Sequence, residues 1–181
     1  MKTNNSFLRN KAEMRINHLP DSPSVLDCFG GAGLVWACVQ RETGRRVKYV
    51  SIDKIDNGIG FYMPGDNVKY LEGMDLSRFN VVDLDSYGVP FEQLDVLFRR
   101  GYVGRVFVTF IHNSFGIMPH GLLREIGFTD AMIHACPTIF SRRREYFIEY
   151  LAKKGVREIA HRSHARNMYL TFTTAAPLGR S

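Results

Sequence analysis

Cysteine is scarce in this 181-residue chain, which has three: Cys28, Cys38 and Cys136. No two of them stand at Cys-x-x-Cys spacing, which argues against a zinc or iron–sulfur centre and points to reduced thiols. No metal site is expected. His161-x-x-His164 falls in an expected turn without acids nearby, a poor ligand set for a metal ion. Long apolar runs are also missing. None approaches the roughly 18 residues that span a bilayer, and Met1–Ser6 is not followed by the apolar core of a signal peptide. These absences lead us to expect a cytoplasmic chain with no membrane partner. Acid is short in one half. In residues 1–90, 11 Lys and Arg balance 11 Asp and Glu; in residues 91–181, 13 outnumber 7. Five of the six histidines lie in that second half as well. The excess suits a polyanionic partner, most simply nucleic acid, although a basic solvated surface would look the same.

No repeat, low-complexity segment or linker interrupts the chain. Residues 1–23 read as a leader with a short helix around Ser6–Ile16, ended by Pro20 and Pro23. Residues 24–181 read as one domain. Strands are expected at Ser24–Phe29, Val47–Asp53, Val68–Leu71, Phe79–Leu84, Arg105–Ile111, Val156–Ala160 and Met168–Thr174. Helices are expected at Gly33–Thr43, Phe91–Arg100, Gly121–Ile126 and Thr138–Lys154. Gly44 stops the first of these. Strands alternating with helices imply a mostly parallel sheet covered on both faces. The last two strands are joined by a short turn around His161–Asn167, so they pair as an antiparallel hairpin. The expectation is a three-layer, Rossmann-like α/β fold: a mostly parallel seven-stranded sheet with a C-terminal antiparallel hairpin. Ligands of such sheets bind beyond the carboxyl ends of the strands, where strand order reverses. Asp27, Asp53, Asp75 and Asp85 all fall at expected strand ends.

Val25-Leu26-Asp27-Cys28-Phe29-Gly30-Gly31-Ala32-Gly33 carries the most information. It reads as a buried strand, a glycine turn and a helix start, a turn that lets a ligand approach the backbone closely. The next apolar run ends in Asp53, where an acid can hydrogen-bond ribose hydroxyls. Strand, glycine loop, helix, strand and acid together hold a nucleoside-bearing cofactor. The loop is neither a dinucleotide fingerprint, because Trp36 stands at the third glycine position, nor a P-loop, because no Lys-Ser/Thr follows. The alternative is a set of turn residues in another α/β fold.

This arrangement resembles the first motif of class I S-adenosylmethionine (SAM)-dependent methyltransferases. The likeness covers nearly the whole chain in element order, with sharp motifs from Val25 to Pro90. It implies SAM as cofactor, with Asp27, Phe29, Gly30, Gly31 and Gly33 around the methionine part and Asp53, with Lys54 beside it, at the ribose. It places Asp75, followed by Leu76, beside the adenine amino group, and adds Asp83 to the cofactor set. A second stretch, Asp83-Leu84-Asp85-Ser86-Tyr87-Gly88-Val89-Pro90, resembles the catalytic motif of tRNA guanine-N2 methyltransferases, Asp-Leu-Asp-Pro-Tyr/Phe-Gly-Ser-Pro. Ser86 and Val89 depart from that pattern. The resemblance implies methyl transfer to an exocyclic amine of a nucleic-acid base, with guanine in RNA favoured over DNA.

The residues suit that chemistry. An exocyclic amine is a poor nucleophile because its lone pair is delocalised into the ring, and an acceptor on its N–H helps localise the pair. Asp85 and the backbone carbonyls around Ser86 are candidates for that role, and Tyr87 for stacking on the base. A plain turn with a core tyrosine is the alternative. His112 and Asn113, after the fifth strand, are candidate substrate contacts. A serine nucleophile at Ser86 lacks its Gly-x-Ser-x-Gly setting. No cysteine follows the fourth strand to serve cytosine-C5 methylation. Arg142-Arg143-Arg144 lies on an expected helix, so the three spread around it rather than face one ligand. Two other functions stay open: a DNA adenine or cytosine amino-methyltransferase, and a non-catalytic SAM-binding subunit. A protein partner or a homodimer stays open too.

Overall fold

The computed structural model describes residues 7–54, 61–111, 118–135, 142–164 and 167–175. The strands are β1 (Ser24–Asp27), β2 (Lys48–Asp53), β3 (Phe61–Pro64), β4 (Val81–Leu84), β5 (Gly104–Ile111), β6 (Arg157–His164) and β7 (Asn167–Thr174). They form one sheet in the order β3-β2-β1-β4-β5-β7-β6. The first five strands are parallel; β7 is antiparallel to β5, and β6 to β7. The seven-stranded sheet with its terminal hairpin is the expected architecture.

Helices α1 (Leu8–His18), α2 (Leu34–Thr43), α3 (Asn67–Gly73), α4 (Phe91–Arg99), α5 (His120–Glu125), α6 (Asp130–Ala135) and α7 (Arg143–Lys153) cover it. Side chains alternate across each strand, so the central strands feed two cores. Leu26, Ile52, Val82, Leu84, Val106 and Val108 pack with Leu71, Leu94, Leu97, Leu122, Phe147 and Leu151 from α3, α4, α5 and α7. Val25, Val81, Phe107 and Tyr169 face the other way, onto Ala12 and Met14 of α1 and Trp36 and Val39 of α2. Residues 8–18 are therefore part of the fold, clamped against α2 and β7.

Two expectations fail here. Val68–Leu71 is helical, inside α3, and the third strand is Phe61–Pro64. The side chain of Asp66 accepts from the amides of Val68 and Lys69, an N-cap that starts a helix where a strand was expected. His161–His164 is strand rather than turn. β6 is an edge strand with both faces largely exposed, so it carries no apolar alternation to mark it. The long helix expected over Thr138–Lys154 is seen as α7, with α6 preceding it. Residues 136–141, Cys136 among them, lie outside the described residues, as do His112 and Asn113. Among the described residues no helix is long and apolar enough to cross a membrane.

Candidate active site

Strand order reverses between β1 and β4, whose carboxyl ends lie side by side. Asp27 is paired in register with Asp83 of β4, on the sheet face that α1 and α2 cover. Asp85 lies two residues further on the same face. Three carboxylates are thus gathered at the switch point, and α1 answers them with two cations one turn apart. Arg15 donates through Nε to Asp83 Oδ2 at 2.7 Å and through Nη2 to Oδ1 at 2.5 Å. Lys11 Nζ donates to Asp85 Oδ2 at 2.7 Å. Asp85 Oδ1 is buried and, among the described residues, has no hydrogen-bond partner.

Electrostatics set Asp83 and Asp27 apart. Burial raises Asp83, and the Arg15 guanidinium pulls the other way. Asp27 is raised well above the ordinary carboxylate range, by burial first and by the Asp83 charge second; the Phe29 amide, donating to Oδ1 at 3.2 Å, opposes this weakly. Burial likewise pushes the Cys28 thiol up, so it is a packed side chain rather than a nucleophile.

The glycine loop is fastened to β2. The Gly30 amide donates to the Ile52 carbonyl at 3.2 Å, and a Cβ on Gly30 would stand 2.6 Å from the Ser51 Cβ. Gly31 and Gly33 take positive φ, 48° and 65°, which glycine adopts without strain. The Gly31 amide donates to Asp53 Oδ2 at 2.8 Å, so the acid at the end of β2 also orders the loop. Lys54 follows it, exposed.

Asp75 and Leu76 are not brought to this crevice. Asp75 caps the short 3-10 turn Leu76–Arg78, accepting from the Ser77 amide and hydroxyl, and Leu76 is buried in the core. That turn leads to the start of β1, where the Ser24 hydroxyl donates to the Arg78 carbonyl at 2.8 Å. The pair therefore sits at the opposite end of the strands, by their amino termini. Asp66 and Asn67, just after β3, hold the place expected of them. Asn67 Nδ2 donates to the Cys28 carbonyl at 2.7 Å, and its Oδ1 accepts from Gln93 at 2.8 Å. Their signal in the sequence is Gly65-Asp66-Asn67, directly after the apolar Phe61-Tyr62-Met63.

Beyond β4 the chain turns sharply. The Ser86 amide donates to the Leu84 carbonyl at 2.9 Å, and the Ser86 hydroxyl to the Gly88 carbonyl at 2.6 Å. The hydroxyl thus braces the turn at the position where a proline is absent. Tyr87 is 61% exposed at its tip. Ser86–Gln93, Phe29 and Pro119 enclose a pocket of about 340 Å³, within the size range of small-molecule sites. A second cavity, of about 30 Å³, is lined by Lys11, Asp27, the glycine loop, Asp83 and Asp85. It has room for a water or two. Phe29 borders both.

No protein-family model matches the chain, and no curated protein matches it. Solved structures do. The 1,6-didemethyltoxoflavin-N1-methyltransferase of Burkholderia thailandensis, which holds S-adenosylhomocysteine, has a TM-score of 0.61 at 14% identity, covering 96% of this chain and 80% of that one. Precorrin-6y C5,15-methyltransferase of Geobacter metallireducens has a TM-score of 0.52 at 11% identity, covering 96% and 90%. A protein of Clostridium thermocellum with an inferred rRNA methylase activity has a TM-score of 0.52 at 11% identity, covering 93% and 96%. At such identities the likeness establishes the fold, and it is the Rossmann-like fold of class I methyltransferases. The residues present fit a SAM-like ligand. A Cβ at Gly30 would crowd the Ser51 side chain, Asp53 ends β2 beside the glycine loop, and an Asp85 oxygen, buried and unpartnered among the described residues, borders the cavity.

Proposed function

We propose that this chain is a SAM-dependent methyltransferase acting on an exocyclic amine of a nucleic-acid base, with guanine in RNA favoured. The observation that carries this reading is the position of Asp85-Ser86-Tyr87. The three residues link the acidic cavity to the 340 Å³ pocket across Phe29. Support for a polyanionic substrate comes from the basic second half of the chain. The C. thermocellum structure, whose inferred activity is on rRNA, supports RNA.

Bound SAM would supply an electrophilic methyl group on a sulfonium, so the protein's work is alignment and handling of one proton. Asp53 and the amides of the glycine loop would hold the ribose and the amino-acid chain, with Asp27 facing the ammonium. Phe29 would separate that half from the acceptor. Tyr87, exposed at the pocket mouth, would stack on the base. Asp85 Oδ1 would accept the amine N–H, drawing the lone pair out of the ring toward the methyl carbon. Asp85, or a water beside it, would take the proton that the amine gives up on methylation, with S-adenosylhomocysteine as the leaving group.

The test offers labelled SAM to the chain with RNA, DNA and protein in parallel, followed by digestion to nucleosides. Label in RNA guanine upholds the proposal. Label in a DNA adenine or cytosine replaces it with the DNA reading. Absence of label from a chain that binds S-adenosylhomocysteine replaces it with a non-catalytic subunit.

A further inference from the structure

Lys11 and Arg15 enter the acidic face together but end differently. All three guanidinium nitrogens of Arg15 are engaged: the side chain holds both oxygens of Asp83, donates Nη1 to the Lys11 carbonyl at 2.9 Å, and lies over the rings of Trp36 and Phe107, 5.9 and 5.6 Å from their centroids. Lys11 holds one oxygen of Asp85 and leaves the other buried and unpartnered. A buried carboxylate oxygen without a partner is costly. It is also the atom the proposed reaction needs, on a side chain clamped by a lysine. Lys11 lines the same small cavity as Asp27 and the glycine loop, and is the one cation among the described residues lining it.

This inference rests on the cofactor reading above. The amino-acid end of SAM carries an ammonium and a carboxylate. Asp27 suits the ammonium, but the carboxylate would meet Asp83 and Asp85, with Lys11 as the available counter-charge. The cavity as it stands has room for only a water or two, so something lining it must move. We infer that Lys11 changes partners: it leaves Asp85 for the carboxylate of the incoming cofactor, which opens the cavity and delivers Asp85 to the acceptor amine. Without cofactor, the acid that binds the amine is masked. Binding is therefore ordered, cofactor first and nucleic acid second. Lys11 acts on the amine through Asp85 and is a positioning residue toward it.

Calorimetry on the full chain tests this with two probes: S-adenosylhomocysteine, and 5′-methylthioadenosine, which lacks the amino-acid end. Lys11→Ala should weaken S-adenosylhomocysteine about tenfold, the scale of one charged hydrogen bond, and leave 5′-methylthioadenosine unchanged. Lys11→Arg should keep both. Asp85→Asn gives the decisive sign. Freed from its competitor, Lys11 should bind S-adenosylhomocysteine several-fold more tightly, and that gain should vanish in Lys11→Ala/Asp85→Asn, because linked equilibria are reciprocal. An Asp85→Asn change that weakens binding or leaves it alone overturns the exchange, as does an equal loss of both probes in Lys11→Ala. A wild-type chain that binds neither probe overturns the cofactor reading itself, and the exchange with it.

Discussion

Arg15 and Asp83, 68 residues apart in sequence, form a two-pronged ion pair that is almost wholly shielded from water. Removing one partner of such a pair strands a buried charge, at a cost of about 3–5 kcal/mol. Arg15→Ala is therefore expected to lower the urea midpoint sharply. Arg15→Met/Asp83→Leu, which removes both charges, should recover most of the stability, because an apolar replacement of the whole pair is often neutral. A double variant as unstable as Arg15→Ala would place the stability in packing against Trp36 and Phe107 instead.

Asp27 gives the site a pH dependence with a definite sign. Its pKa is raised in the free chain, and a cationic ligand favours the ionised form. SAM binding should thus lower that pKa and release a proton. Affinity should rise with pH and level off above the raised pKa of the free chain. Asp27→Asn should flatten this profile and weaken SAM. It should also stabilise the free chain above the unfolded-state pKa of aspartate, where a raised acid costs stability. Calorimetry across pH, in buffers of different ionisation enthalpy, reads both the affinity and the proton count. A flat wild-type profile would remove Asp27 from the ammonium site.

Asp53 and Asp85 should separate binding from transfer. Asp53→Ala loses the Gly31 amide bond and the proposed ribose contact, so S-adenosylhomocysteine affinity should fall at least tenfold, about 1.4 kcal/mol. Asp85→Asn should abolish methyl transfer while raising that affinity several-fold. Full transfer by the Asp85 variant would remove that residue from the acceptor site, whatever its effect on binding.

Gly30 is there for space. Its absent Cβ would sit 2.6 and 2.7 Å from Ser51 Cβ and Oγ, so Gly30→Ala should cost about 1–3 kcal/mol as an overpacked contact. Ser51→Gly in the same chain should relieve most of it. Thermal melts of the two variants decide the matter, and an additive double variant would contradict the contact.

The first two strands, the glycine loop and the fourth strand were legible because buried strands and glycine turns are written locally, in apolar runs and residue type. The third strand was not. Pro64 and the Gly65-Asp66 turn made Phe61–Pro64 look like loop, although proline is tolerated on a sheet edge, and Val68 and Leu71 stand three apart, a helical spacing. With the third strand at Phe61–Pro64, the residues that follow it are Asp66 and Asn67 rather than Asp75. The part played by residues 8–18 was also illegible. Nothing near Lys11 or Arg15 indicates that their partners lie on the fourth strand; the pairing follows only from the packed α1, α2 and β7.

The same packing sets an order of assembly. α1 is synthesised first, yet the guanidinium it must bury has no counter-charge until β4 has been made and laid beside β1. Closing so long a loop carries an entropic cost that local helix contacts do not. We therefore expect α1 to dock late, after β1 and β4 have paired, so that the cleft at their carboxyl ends is covered only once the central strands are in place.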